Sequence, residues 1–313
     1  MTDLKPDLKN ISLDSWVHQI FCQNDLQVDV LRLDKIHPDI SGNKWFKLKY
    51  YLEKANQEKK QTLVSFGGPY SNHLLALAAA ASLHRLNSIG FIRGEEPAKL
   101  SHTLIAVKDY GMKLIFLPRS EFDLKKKLCS KDAMTENLTS KKIEDHPDSI
   151  LIPEGGAGIE GITGSEEILS LVPRQMYSHF CTAVGTGTTL AGLINSAGRN
   201  QKIIGVSVLK GTRNLEPIDI NWVNDRTRLA NVHMVHEYHF GGYAKFNASL
   251  TDFMNRTYAE SAIPTDFIYT GKLFFAVIRL AEMKLFPPGS RILVLHTGGL
   301  QGNRSLTTGL LGF

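Results

Sequence analysis

Apolar residues fall along this chain in short runs separated by helical spacings. Strand-like runs occur at 28–33, 62–66, 88–92, 113–117, 150–152, 180–184, 203–209 and 291–295. Helical patterns occur at 13–21, 44–52, 74–83, 102–110, from 188 onward and at 273–284, while 119–148 is polar and shows no clear period. Strands alternating with helices predict an α/β fold, a mostly parallel sheet covered on both faces.

Several strand ends run directly into glycine. In S-G-N-K-W-F-K-L at 41, Gly42 and Asn43 suit a tight turn, and Trp45, Leu48, Tyr51 and Leu52 then recur at helical spacing, with Trp45, Leu48 and Leu52 toward a core. Lys44 stands at the mouth of that helix. The positive end of the dipole and desolvation both lower a lysine pKa and make the amine a usable nucleophile. The plainer reading is a solvated lysine in a helix that also carries Lys47 and Lys49.

The strand at 62–66 enters G-G-P-Y-S-N-H at 67. Ser71 or Asn72 serves as an N-cap. Alternatively Ser71, Asn72 and His73, with the free loop amides, hold an anion such as a carboxylate. The strand at 180–184 enters Gly185, Thr186, Gly187, Thr188 and Thr189, whose amides and hydroxyls make a phosphate cradle. It lacks the Gly-Lys-Ser/Thr of a nucleotide loop. Leu190 replaces the third glycine of a dinucleotide fingerprint, and no acid ends the next strand. The expected ligand therefore carries one phosphate and no adenosine. The last strand stops at H-T-G-G at 296. If the strands before 67–68, 185–187 and 298–299 lie side by side, three polar loops ring one crevice at their carboxyl ends. A tuned lysine, a monophosphate grip and a carboxylate site together suggest pyridoxal phosphate and an amino-acid substrate.

H-M-V-H-E-Y-H at 233 resembles a metal cluster, but its flanks favour strand and loop, on which these spacings alternate faces. Tyr243, in H-F-G-G-Y, either reaches a pocket or packs. The 313 residues hold 42% hydrophobic and 21% charged positions, enough for one large or two interlocked domains. The net charge of +5 is spread out, and the basic run at 125–127 reads as a solvated helix face rather than a nucleic-acid patch. No apolar run approaches the roughly 20 residues that cross a bilayer. The polar N-terminus lacks a signal-peptide core, and three separated cysteines, Cys22, Cys129 and Cys181, fit a reducing cytoplasm without a metal site.

These motifs, with P-E-G-G at 153 and Y-T-G-K at 269, resemble the D-cysteine desulfhydrase and 1-aminocyclopropane-1-carboxylate deaminase family of fold-type II (tryptophan synthase β-like) pyridoxal-phosphate enzymes. The likeness runs from about 28 to 302. It implies two three-layer αβα domains with mostly parallel sheets. We expect 1–60 with 149–313 as the large cofactor-binding domain and 61–148 as a small domain closing over substrate. The resemblance implies that Lys44 is the Schiff-base lysine. Asn72 meets the 3′-oxygen, Gly185, Thr186, Gly187, Thr188 and Thr189 hold the phosphate, and Thr297 faces the ring nitrogen. Ser71 meets the substrate carboxylate or moves a proton, with His73 beside it, and Tyr243 and Tyr269 flank cofactor and substrate. Deaminases proper carry glutamate where Thr270 stands, and threonine is similar to the desulfhydrase branch. The implied reaction is α,β-elimination to a 2-oxo acid and ammonium, D-cysteine desulfhydrase-like, in a cytoplasmic homodimer. Ring opening of aminocyclopropane carboxylate, a racemase or dehydratase, and a non-catalytic binding protein for pyridoxal phosphate or another phosphometabolite are the alternatives.

Overall fold

The computed structural model describes residues 6–131 and 148–313, with side chains over 6–126 and 148–313. Residues 1–5 and the side chains of Lys127 and Cys129 lie outside the described residues. The chain opens with β1 (Leu13–Ser15), α1 (Gln19–Gln23) and β2 (Gln27–Arg32), then α2 (Asn43–Gln57). Next come β3 (Thr62–Gly67), α3 (Asn72–Leu83), β4 (Asn87–Arg93), α4 (His102–Asp109), β5 (Lys113–Leu117), α5 (Arg119–Lys131) and β6 (Ser149–Ile152). The remainder is α6 (Ile159–Glu166), β7 (His179–Val184), α7 (Thr188–Ser196), β8 (Lys202–Ser207), β9 (Val232–Val235), α8 (Ala248–Ser261), α9 (Thr270–Glu282) and β10 (Arg291–His296).

The strands form two sheets, one ordered β1-β2-β10-β7-β8-β9 and the other β5-β4-β3-β6. Every pairing is parallel except β1 with β2. Both sheets are apolar on both faces, as parallel sheets between helices must be. In β10, Ile292 and Val294 join the core under α8 and α9, while Leu293 and Leu295 join the core on the opposite face under α7 and Phe46. In β3, Leu63 packs under α3, whereas Val64 and Phe66 face Phe122 of α5. The alanine-rich α3 is apolar all round and buried from His73 to Ala81, so it can only be an interior helix. Among the described residues no helix is long and apolar enough to cross a membrane.

The structure corrects several expectations. Residues 13–21 are not one helix. Leu13 pairs with Leu31 along β2, and Trp16 N donates to Val28 O at 2.8 Å. The edge of the sheet captures a segment whose Leu13, Trp16 and Ile20 only imitate a helical stripe. Residues 119–131 are helical although their pattern is weak, and among the described side chains Phe122 is the buried one. Nor do the three glycine-ended strands lie side by side. β7 and β10 are neighbours, but β3 belongs to the other sheet. β6 pairs with β3 in the four-stranded sheet. The basic run is not simply solvated either, since Lys125 lies 4.1 Å from the Phe91 ring centre and Lys126 pairs with Glu154. The histidine segment is strand and loop, as expected. His236 bonds Thr212 and the Asn214 carbonyl, and His239 accepts from Gly241 N.

Candidate active site

A cavity of about 410 Å³ opens between the two sheets, within the usual range for small-ligand sites. One wall is built where the chain turns into α2. Gly42 has φ +65°, ψ −138°, and a Cβ there would lie 1.9 Å from the Thr297 carbonyl oxygen. Only glycine permits both the backbone angle and the approach. Asn43 N donates to the same carbonyl at 3.3 Å. The turn before α2 and the loop after β10 therefore interlock, and Lys44 and Thr297 share the wall. Burial pushes the Lys44 ammonium down to about 8, against the pull of the Asp266 carboxylate.

The second wall is the loop after β3. Ser71 Oγ accepts from Leu74 N at 3.2 Å, so the helix-cap reading of Ser71 is realised, and the residue also lines the cavity. Asn72 Oδ1 accepts from Gln301 Nε2 at 2.7 Å. His73 is buried. Its Nε2 lies 2.8 Å from Ser65 Oγ, whose own proton goes to Ile152 O at 2.7 Å. That direction assigns the ring proton to Nε2 and leaves Nδ1, which has no partner among the described residues, as a bare acceptor. Burial, then Lys44 and Lys47, hold the imidazole far below its ordinary pKa, so it stays neutral.

The third wall is the loop between β7 and α7. Gly187 adopts the left-handed conformation (φ +81°) and leads into α7, whose N-terminal amides face the cavity end of the sheet. Gly185, Thr186, Gly187 and Thr189 line the cavity, but Thr188 does not. Its buried hydroxyl lies 3.1 Å from Thr186 Oγ1. Asn43 Nδ2 donates to Thr189 Oγ1 at 2.9 Å, tying this loop to α2.

At the mouth Tyr243 is 48% exposed and its ring stands 6.1 Å from that of Tyr269, edge-on at 70°. Burial raises both phenols. The rise is the larger at Tyr269 and the smaller at the half-exposed Tyr243. Tyr269 is fixed by Asp266, a wholly buried carboxylate that accepts from the amides of Ile268, Tyr269 and Thr270 at 2.9 Å each.

Sequence reasoning missed Lys47, Asn43, Gln301, Glu154 and Asp266. Lys47 was grouped with solvated lysines, yet it is 3% exposed and lines the cavity. Among the described residues no hydrogen bond or ion pair reaches its amine, and burial, then Lys44, push its pKa far down. The available signal was its spacing: three residues from Lys44 and four from Asn43, it shares their helix face. Asp266 lay in no motif at all.

A buried amine without a partner marks a place for an anion. Here it stands with a glycine-threonine loop at a helix N-terminus, a second buried amine and a side-chain amide. That donor set fits a ligand with one phosphate, one aldehyde and a ring hydroxyl.

A family model described as "Pyridoxal-phosphate dependent enzyme" matches residues 23–298. A putative 1-aminocyclopropane-1-carboxylate deaminase of Pyrococcus horikoshii is 26% identical over 84% of this chain and 81% of its own length. The mitochondrial bifunctional D-cysteine desulfhydrase/1-aminocyclopropane-1-carboxylate deaminase of Arabidopsis thaliana is 24% identical over 89% and 74%. A D-cysteine desulfhydrase of Salmonella choleraesuis is 25% identical over 86% of each. The crystal structure of an ACC deaminase homologue superposes with TM-score 0.76 at 24% identity, covering 94% of this chain and 90% of that one, and shares the fold. With the family model spanning most of its length, this chain belongs to the pyridoxal-phosphate dependent enzymes.

Proposed function

We propose that the protein is a lyase that performs α,β-elimination on a small amino acid, releasing a 2-oxo acid and ammonium, with D-cysteine as the preferred kind of substrate. The observation that carries this is the meeting, in one cavity, of Lys44 and the Gly185–Thr186–Gly187 turn. Lys44 holds the cofactor's aldehyde carbon. The amides at the start of α7, Thr186, Thr189 and the Lys47 amine take its phosphate, and Asn72 Nδ2 takes its ring oxygen. When bound, pyridoxal phosphate supplies an electron sink for charge at the substrate Cα. Thr297 offers the ring nitrogen a neutral hydroxyl rather than a carboxylate, which keeps that sink weak and favours departure of a Cβ leaving group over transamination.

Lys44, low in pKa and lining the cavity, is the base placed to remove the Cα proton. Ser71 and the cap amides of α3 orient the substrate carboxylate. Tyr243, which lines the cavity beside Tyr269, gives its proton to the departing thiolate and, being half-exposed, regains one from solvent. The balance is cysteine plus water to pyruvate, hydrogen sulfide and ammonia. The unit around β3 to β5, proposed as residues 61–148, closes over the substrate, and the protein works as a homodimer in the cytoplasm.

Ring opening of aminocyclopropane carboxylate is the second reading, prompted by the names of the relatives. Against it stands Thr270: its hydroxyl donates to Asp266 Oδ1 at 2.6 Å, it is fully buried, and it faces away from the cavity. The test is direct. Purified protein should show the visible absorbance of bound cofactor, lost in Lys44→Ala. Pyruvate release is then assayed with both enantiomers of cysteine and serine, and 2-oxobutanoate release with aminocyclopropane carboxylate. Turnover of the last compound alone would overturn the desulfhydrase reading.

A further inference from the structure

The Y-T-G-K segment carries a lysine that the cavity does not use. Lys272, in the first turn of α9, has no exposed surface and does not line the cavity. Its Nζ donates to the carbonyls of His239, at 2.9 Å, and Gly242, at 2.8 Å. Those two carbonyls bracket the turn that presents Tyr243. The turn is conformationally demanding, with positive φ at Phe240 (53°), Gly241 (97°), Gly242 (115°) and Ala244 (53°). Aromatic contacts anchor its two ends, Phe240 on Phe275 and Phe246 on Phe267. The polar turn between them meets the ammonium.

A buried ammonium is costly, and a methionine would fill the same space without that cost. Burial holds Lys272 down to about 8, with Asp266 opposing. The two carbonyl bonds are what the charge supplies in return. Asp266 fixes Tyr269 through its amides, and Lys272 fixes the Tyr243 turn through its carbonyls, so two buried charges at the start of α9 hold the two rings that meet at the cavity.

We propose that Lys272 is a positioning residue for Tyr243: by clamping the His239 and Gly242 carbonyls it sets the Tyr243 ring edge-on to that of Tyr269 at the cavity mouth. The activity arm of the test rests on the elimination reading above, and the exchange arm does not. In the holoenzyme, hydrogen–deuterium exchange is measured over 239–246 and over α7 for wild type, Lys272→Met and Lys272→Arg. The clamp predicts that Lys272→Met speeds exchange over 239–246 by about tenfold, leaves α7 unchanged, and that Lys272→Arg recovers most of the protection. Pyruvate release from D-cysteine should fall about tenfold in Lys272→Met but less than about twofold when Tyr243→Phe is already present. Should Lys272→Met fail to fold, Gly242→Ala, strained at φ +115°, displaces the acceptor from the loop side and should give the same pattern. Unchanged exchange over 239–246, an equal rise over α7, or an undiminished loss in the Tyr243→Phe background each overturns the proposal. If wild type does not turn over D-cysteine, the substrate reading falls, and the exchange arm still decides the role of Lys272.

Discussion

Gln301 reaches across the cavity to Asn72. Its Nε2 donates to Asn72 Oδ1 at 2.7 Å, joining the segment after β10 of the six-stranded sheet to the first residue of α3 on the four-stranded sheet. The bond also orients the amide. With Oδ1 occupied, Asn72 Nδ2 is the atom left to donate into the cavity. Removing the Gln301 side chain lets that amide rotate and loosens one link between the two sheets.

Gln301→Ala should therefore weaken cofactor binding without touching the lysine. The loss of one neutral hydrogen bond is worth about 1 kcal/mol, or roughly fivefold in Kd. Equilibrium titration of cofactor-free protein with pyridoxal phosphate measures it. An unchanged Kd would show that Asn72 holds its orientation without help.

The depressed pKa of Lys44 sets the pH at which the free amine becomes available. Burial holds the ammonium down to about 8, from an ordinary 10.5. Below that value the amine is protonated and inert toward an aldehyde. The rate of cofactor uptake by cofactor-free protein should thus rise with pH through a midpoint near about 8. Asp266 pulls this value upward, so Asp266→Asn should move the midpoint lower. A midpoint that stays put in the variant would mean that Asp266 acts only on the backbone of the Tyr269 turn.

Gly42→Ala should be severe although nothing about a glycine in a turn looks catalytic. The new Cβ would stand 1.9 Å from the Thr297 carbonyl oxygen, at φ +65°. The turn before α2 and the loop after β10 cannot both stay in place. We expect a loss on the order of 3 kcal/mol or more, read from the midpoint of urea unfolding. A loss below about 1 kcal/mol would show that this contact can relax.

The parts of the fold that were legible are those whose local pattern and tertiary surroundings agree. β3, β4, β5, β7 and β10 are apolar runs because both faces of their sheets are covered, and α3 is apolar throughout because it is interior. β1 was not legible. Its three residues take strand form only because β2 offers an edge, a relationship absent from the local spacing. The site was legible where glycine and hydroxyl residues cluster after a strand. The convergence of three loops was anticipated for a mistaken reason: they meet across a cleft between two sheets, not along one. Thr188, in the same motif, is the buried first residue of α7, and its hydroxyl meets that of Thr186. Asp266 stands in no chemical pattern, and only the three-dimensional arrangement sets its carboxylate under the Tyr269 turn and brings Gln301 to the cavity. Lys47 was hidden by its neighbours, since three lysines in six residues read as a wet helix.

Lys47 gives the sharpest test because one substitution should act in opposite directions on two quantities. In the cofactor-free protein its amine is buried, unpartnered among the described residues, and next to Lys44, so the folded state disfavours its proton. The unfolded chain binds that proton up to the ordinary 10.5. Between the depressed folded value and 10.5 the unfolded state therefore holds more protons, and stability rises with pH across that window. Lys47→Met removes the cost and should make the cofactor-free protein more stable at neutral pH, with a flatter pH dependence above it. The same change removes the charge-assisted bond to phosphate proposed for this amine, worth about 1.5–3 kcal/mol, and should weaken pyridoxal phosphate binding by about 10- to 100-fold. Binding of pyridoxal, which lacks the phosphate, should change little. Thermal unfolding at several pH values and parallel titrations with the two ligands measure all three. If Lys47→Met weakens pyridoxal as much as pyridoxal phosphate, the amine does not face the phosphate, and the anion end of the cavity must be sought elsewhere.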